Sequence, residues 1–490
     1  MSRFLFLDEW HIGEMRGVVR RAHKADRHPA SPVLVRDRPW EATRVQVDSR
    51  SVIYDPEARK FRMYYVAMPS DKHHPWIRIN GRDMAGHATL PAYAESDDGI
   101  HWVKPVLGQR SFNEVRDTNL LDVNRGMSFG AGVMHDPHDP DPGRRYQMFY
   151  WDQATWLLPP GKTEFVNWGW NCVVQVKDEG GRVIHEQPYN DYGIEIAFSP
   201  DGIHWTRPLL EYVWPCYSDG GHSALYDPAL GRYVTFGRFG LTRLAGGGQF
   251  ALGRNVARVA SDDFLHWSDP EMALCADHRD PDSLQIDSMP VDLYEGMYVG
   301  LMGLFVLGHP DPKRPMQLAC SRDGRHWTRV AERFDFLDPG GPDDWDAGGS
   351  IRPSSALIPR GDRVMMYYSS GPLRQFAGIG LATWRRDGFV SLHAGPEGGE
   401  LLTTPLMPTG RELHLNVDAA GGEVTVEVCS FQGGPGTPEE QRWGWSEPIR
   451  MDATDVAVHW AVGDLAPFMG WPRTLRFHLR NADLYAFWWE

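Results

Sequence analysis

The sequence has few cysteines, no long apolar run, no basic excess and little helical periodicity. The five cysteines (Cys172, Cys216, Cys275, Cys320 and Cys429) are widely spaced and form no C-x-x-C pair. An odd, scattered set argues against a disulfide framework or a zinc site, and free, mostly buried thiols are expected. No apolar run approaches the ~20 residues of a membrane span, so no membrane partner is expected. The stretch M-S-R-F-L-F-L-D-E-W lacks an apolar core of secretory length, and a cytoplasmic protein is the resulting expectation. A net charge of −15 supplies no basic field to displace counterions from phosphates, which argues against a nucleic-acid partner. The balance suits a neutral substrate or none.

What is present points to β-structure. The 490 residues include 51 Gly, 37 Pro and 20 Trp, with 42% apolar residues. That excludes disorder and gives enough chain for two domains, each with its own core.

One phrase returns four times: S-D-D-G-I-H-W at Ser96–Trp102, S-P-D-G-I-H-W at Ser199–Trp205, S-D-D-F-L-H-W at Ser261–Trp267 and S-R-D-G-R-H-W at Ser321–Trp327. An Asp-Gly pair between extended runs marks a tight turn, and the Trp needs an apolar slot. Around each copy lie short alternating runs, such as S-V-I-Y-D-P and K-F-R-M-Y-Y-V before the first. Repeated units of about four strands predict a five-bladed β-propeller, a ring that leaves no open sheet edge. The fifth unit reads as Ser355–Pro359, Arg363–Ser369, Gly378–Trp384 and Asp387–Leu392.

The expected domains are a propeller over residues 1–392 and an antiparallel β-sandwich over 393–490. Residues 1–30 read as a lead-in lying across the surface. Extra length in blade two, about 154–187, reads as a hairpin or lid whose Trp156, Trp168 and Trp170 are candidate sugar platforms. After 393, Glu412–Asp418 and Glu423–Val428 alternate strictly and the turn phrase is absent.

The ordered set of S-V-I-Y-D-P, K-F-R-M-Y-Y and S-D-D-G-I-H-W, followed by a sandwich, resembles the five-bladed propeller glycosidases of glycoside hydrolase families 32, 43 and 68. The likeness is strongest to bacterial family 32-like proteins, and W-R-R-D-G-F-V-S-L at Trp384–Leu392 belongs to it. The resemblance implies a glycoside hydrolase acting on a fructosyl or arabinosyl substrate, with its site in the funnel where the inner strands begin. It sets Asp48 on the family nucleophile, with Arg50 beside it. Gly130 stands where the family has a stabilising Asp. Gly221 stands where it has the acid Glu, flanked by Asp219 and His222. Asp287 and Arg352 take the funnel positions of blades four and five.

Glycoside hydrolysis uses two carboxyl groups, one protonating the leaving oxygen and one attacking or activating water. Asp48 is the expected nucleophile or base, and Asp219 and Asp287 the candidate acids. Arg50, Arg238, Arg352, His222, Glu195 and Trp168 are the expected substrate contacts. Glu41 is a further carboxylate near the ring closure. No cofactor is expected and no metal-ligand spacing is legible, although the funnel carboxylates would allow a tunnel cation. The other readings are a carbohydrate-binding propeller without catalysis, and a phosphorylase or transferase in which Arg50, Arg352 and His222 hold phosphate. The expected partner is a carbohydrate, and a homo-oligomer is compatible with the sequence.

Overall fold

The computed structural model describes residues 3–47, 49–69, 77–79, 82–84, 89–123, 127–137, 139–153, 163–165, 173–177, 180–188, 192–209, 212–214, 221–238, 254–306, 314–347, 349, 351–354, 356–371, 378–430, 444–461 and 465–490. Among these, the regular structure consists of strands and four short 3-10 turns. No helix among them is long and apolar enough to cross a membrane.

Among the described residues, five successive antiparallel sheets form the blades. Blade one has a broken inner strand, Arg44–Gln46 then Val52–Asp55, both pairing with Lys60–Met68, which pairs in turn with Leu90–Ser96. Blade two is Met127–His135, Tyr146–Gln153 and Tyr192–Ser199. Blade three is Ser223–Asp227, Arg232–Gly237, Val256–Ser261 and Glu271–Leu274. Blade four has Leu284–Ser288 and Val291–Tyr294 on Met297–Val306, then Met316–Ser321 and Thr328–Arg329. Blade five has Arg352–Pro353 and Ile358–Arg360 on Arg363–Ser370, then Gly378–Arg385. Each sheet packs on the next, and Gly378–Arg385 of the fifth meets Arg44–Gln46 of the first, so the ring closes. This is the five-bladed propeller that the repeats predict.

The repeated phrase has the same geometry in each copy. In the first, Ser96 Oγ accepts from Gly99 N at 2.9 Å, and Asp98 Oδ1 accepts from Ile100 N and His101 N, both at 2.8 Å. His101 Nδ1 lies 2.7 Å from Asp98 Oδ2. The Trp that follows packs edge-on against an aromatic residue on the second strand of the preceding blade. The pairs are Trp102–Tyr367 at 5.6 Å, Trp205–Tyr64 at 5.9 Å, Trp267–Phe149 at 5.1 Å and Trp327–Phe236 at 5.4 Å. Edge-to-face pairs of this kind fill the wedge between neighbouring sheets.

A second link runs the other way. The Asp ending an inner strand accepts from a Tyr on the next blade: Tyr146 Oη to Asp55 at 2.5 Å, Tyr233 Oη to Asp136 at 3.2 Å, and Tyr298 Oη to Asp227.

The N-terminal segment departs from expectation. It does not lie across the propeller surface. Ile12–Arg16 pairs with Gly399–Thr403, Val19–Ala22 pairs with Val390–Ala394, and Phe4–Leu5 pairs with Ala482–Trp489, all within the sandwich. Asp26–Arg27 and Leu34–Val35 then pair with Gly378–Arg385 and become the outer strand of blade five. That place was expected for Asp387–Leu392, but Val390–Ala394 turns away into the sandwich. The reason is physical: a propeller has no edge left exposed if its first-made segment closes its last sheet.

The sandwich has one sheet of Val19–Ala22, Val390–Ala394, Ala482–Trp489, Leu413–Asp418 and Asp452–Ala457, and another of Ile12–Arg16, Gly399–Thr403, Thr474–Arg480 and Glu423–Cys429. The A-F-W-W stretch docks as expected, with Trp488 and Trp489 each 2% exposed. One hydrophobic cluster runs from Leu415, Val426 and Phe477 of the sandwich to Leu318 and Val364 of blades four and five, so the two domains share a core. In the region of the blade-two insertion, Thr163–Phe165, Val173–Lys177 and Val183–Pro188 form a small antiparallel sheet. Trp156, Trp168 and Trp170 lie outside the described residues. Of the cysteines described, Cys320 and Cys429 are buried and Cys275 is exposed, all three as free thiols.

Candidate functional site

The heads of the five inner strands meet in a ring of backbone and hydroxyl contacts. The inner strands of blades one, four and five are each interrupted near this ring. In blade one the break falls between Gln46 and Val52, and Ser49 there takes a left-handed φ of 57°. Ser51 Oγ donates to Ala131 O at 3.0 Å, and Val133 N to Arg50 O at 3.0 Å, joining blades one and two. Gly132 of blade two lies so close to blade three that a Cβ would stand 2.9 Å from His222 O. Val291 N donates to Ser223 Oγ at 3.0 Å between blades three and four. Leu357 N donates to Asp292 Oδ2 at 3.0 Å between blades four and five, and Ser51 N to Ser354 O at 3.1 Å returns to blade one. Strand alternation puts the S-x-D-G turns, which follow third strands, at the opposite end of the propeller.

Charged side chains from several blades gather at these heads. Asp287, 6% exposed, is the penultimate residue of Leu284–Ser288, the first half of the blade-four inner strand. Arg254 Nη1 lies 2.7 Å from its Oδ1 and Arg238 Nη1 3.9 Å from the same oxygen, while Arg352 Nη2 contacts Oδ2. Arg238 and Arg254 flank the top of blade three's second and third strands, and Arg352 heads blade five. One carboxylate thus ties three blades together. Burial alone would raise the Asp287 pKa, but the charges of Arg352, Arg254 and Arg238 outweigh it and hold the carboxyl well below its ordinary value. Beside this cluster, Arg50 Nη2 of blade one lies 3.2 Å from Asp292 Oδ1 of blade four.

The structure brings together Asp287, Arg238 and Arg352 of the expected residues, with Arg50 on the same ring of strand heads. A proton donor needs a raised pKa, and the three guanidinium groups around Asp287 act in the reverse direction, as they would on an ionised anchor. His222, expected as a sugar contact, is 0% exposed, its ring lies 5.8 Å from Phe149, and Gly237 leaves room for it. Glu195 is on the third strand of blade two, not the inner one, where Tyr150 Oη donates to it at 2.9 Å and Arg207 lies 3.5 Å away. Glu41 is fully buried against Lys104 at 2.8 Å and Tyr65 Oη at 2.5 Å, a satisfied packing network. Asp48, Asp219 and Trp168 lie outside the described residues.

Two residues of the cluster were missed. Asp292 carries the same signal as Asp287, a charge inside an apolar inner strand, and should have been read with it. Arg254 has no such signal, since it precedes a third strand and reaches the funnel only through the fold.

No family model matches the chain, and no curated protein does. Among solved structures, the chain is similar to a glycoside hydrolase at 14% identity, covering 77% of this chain and 93% of that one with a TM-score of 0.45. It is similar to a β-1,2-mannobiose phosphorylase from Listeria innocua at 13% identity, covering 74% and 96% with a TM-score of 0.45. It is similar to a thermostable family-43 glycoside hydrolase at 12% identity, covering 72% and 94% with a TM-score of 0.40. Likeness at this level assigns neither an activity nor a site residue.

Proposed function

We propose that the chain is a glycoside-cleaving enzyme whose substrate sits in the funnel at the inner-strand heads. The observation that carries the reading is the convergence of Arg238, Arg254 and Arg352 on Asp287 there. Rigid, ion-paired guanidinium groups suit the recognition of sugar hydroxyls, because their geometry is fixed before the ligand arrives. In this reading Asp48, two positions before Arg50 in the sequence, is the nucleophile or base, and Asp219 is the proton donor. Asp287 positions the arginines. The substrate class implied by the family 32-type resemblance is a fructoside or arabinoside.

A second reading is favoured by the same arginines. Planar guanidinium groups also match phosphate oxygens, and a phosphorylase takes its nucleophile from phosphate and needs only one carboxylic acid from the protein. The test is product analysis on short fructosyl and arabinosyl oligosaccharides with and without phosphate. Release of free sugar in phosphate-free buffer, lost in Asp48→Asn, is the expected result. Sugar phosphate formed only when phosphate is added would instead establish phosphorolysis. Saccharide binding with no product under either condition would overturn the enzymatic reading.

A further inference from the structure

We propose that the sandwich carries a binding site for a divalent transition metal of the zinc type, built from His414, Glu412 and Glu490 and oriented by Asp455. Glu412 and Glu490 face each other across two adjacent strands, each backbone N donating to the other's O at 2.8 Å. Two carboxylates directly opposed on a sheet repel, and such a pair is destabilising unless a cation lies between them. His414, two positions after Glu412, projects from the same face of its strand.

The histidine points to what that cation is. Its Nδ1 lies 2.7 Å from Asp455 Oδ1, a hydrogen bond that assigns the proton to Nδ1 and leaves a lone pair on Nε2. Nε2 lies 3.6 Å from both Glu412 Oε2 and Glu490 Oε2, too far for a hydrogen bond to either. The residue is only 9% exposed, and Nε2 is shielded from solvent with no hydrogen-bond partner. Stacking on Trp488, with centroids 5.4 Å apart, holds the ring in this orientation. Trp488 Nε1 also donates to Glu490 Oε1 at 3.1 Å, which turns Oε2 toward the imidazole.

A buried lone pair aimed between two carboxylates is a ligand set. Ligands each about 2.0–2.2 Å from zinc stand roughly 3.3–3.6 Å apart in tetrahedral geometry, and the 3.6 Å from Nε2 to each carboxylate matches that spacing. A carboxylate on the far nitrogen is the usual support for a metal-bound imidazole. The mix of nitrogen and oxygen donors favours zinc, cobalt or nickel over calcium and magnesium, which prefer oxygen alone. The bound ion would tie the Leu413–Asp418 and Ala482–Trp489 strands and, through Asp455, the edge strand Asp452–Ala457.

The test is calorimetric titration of the chelator-treated full chain with Zn2+ and, separately, Ca2+. Co2+ absorption in the visible range reads the coordination directly. The expected result is one equivalent of Zn2+ bound with no heat from Ca2+, and binding weakened about 100-fold or more in His414→Ala. Asp455→Asn keeps every ligand and a half-exposed position, so it should fold and bind Zn2+ about 10–100-fold more weakly. No Zn2+ heat, or Zn2+ affinity unchanged in both His414→Ala and Asp455→Asn, would overturn the site. Equal affinity for Ca2+ would overturn the choice of metal.

Discussion

Arg50 and Asp292 form an ion pair at 3.2 Å between blade one and blade four, two blades that are not neighbours in the ring. The pair therefore crosses the propeller axis. Asp292 also accepts from Leu357 N at 3.0 Å on blade five. Removing Arg50 leaves this buried carboxylate without its cation. We expect Arg50→Ala to lower stability by about 2–3 kcal/mol, less than a fully buried pair because Arg50 is partly exposed. The denaturant midpoint at unchanged slope checks it. A shift indistinguishable from wild type would mean that the axis is held by other contacts.

The Asp287 carboxylate makes a pH prediction with a defined sign. Its folded pKa lies below the unfolded value of about 3.9. A depressed pKa contributes stability that is complete above the unfolded pKa and is lost as pH falls through the folded one. The stability gap between wild type and Asp287→Asn should therefore be constant from about pH 7 to pH 5 and shrink only below about pH 4. Thermal unfolding across that range measures the gap. A gap that grew on acidification would contradict the arginine clamp.

The Tyr146–Asp55 bond represents a link that recurs between blades two and three and between blades three and four. Tyr146→Phe should cost about 1.5–3 kcal/mol, the worth of a hydrogen bond to a charged group. Asp55→Ala should not add its full cost on top, since both changes remove the Tyr146–Asp55 hydrogen bond. A double-mutant cycle gives the coupling, and strict additivity would deny it.

Gly99 has a φ of +78°, and a Cβ there would stand 2.5 Å from Tyr367 Oη of the neighbouring blade. Gly361 has a φ of +59° with nothing within 4 Å of a Cβ. Gly361→Ala should cost about 1 kcal/mol from backbone strain alone. Gly99→Ala should cost clearly more, because Tyr367 Oη donates to Gly99 O at 2.7 Å and cannot move without losing that bond. Equal melting temperatures for the two variants would show that the inter-blade contact yields freely.

The blades were legible because their signals are local. Ser96, Asp98, Gly99 and Trp102 lie within seven positions, and their turn closes on itself through Ser96 Oγ and Asp98 Oδ1. The heads of the inner strands were legible by counting back from those turns, which found Asp287 and Arg352. The rest depends on contacts between distant segments. Nothing near Arg254 announces that it will reach Asp287, 33 positions away. Nothing near Val19–Ala22 announces pairing with Val390–Ala394. The sequence around His222 likewise gives no sign of which way its ring turns, and the ring packs near Phe149.

The threading of the first 35 residues through both domains has a consequence for biosynthesis. Ser31 Oγ accepts from Leu381 N, 350 positions further along the sequence. At about 5–20 residues per second of translation, the emerging segment waits roughly 20–70 s for its strand partner. Through that interval the apolar side chains of Leu5, Phe6, Leu7 and Leu34, each 3% exposed or less in the finished fold, have nothing to cover them. The nascent chain is then a natural client for a chaperone that binds extended apolar segments. For the same reason neither domain can be cut away cleanly, because a shortened propeller loses its closing strand and a shortened sandwich loses an edge from each sheet.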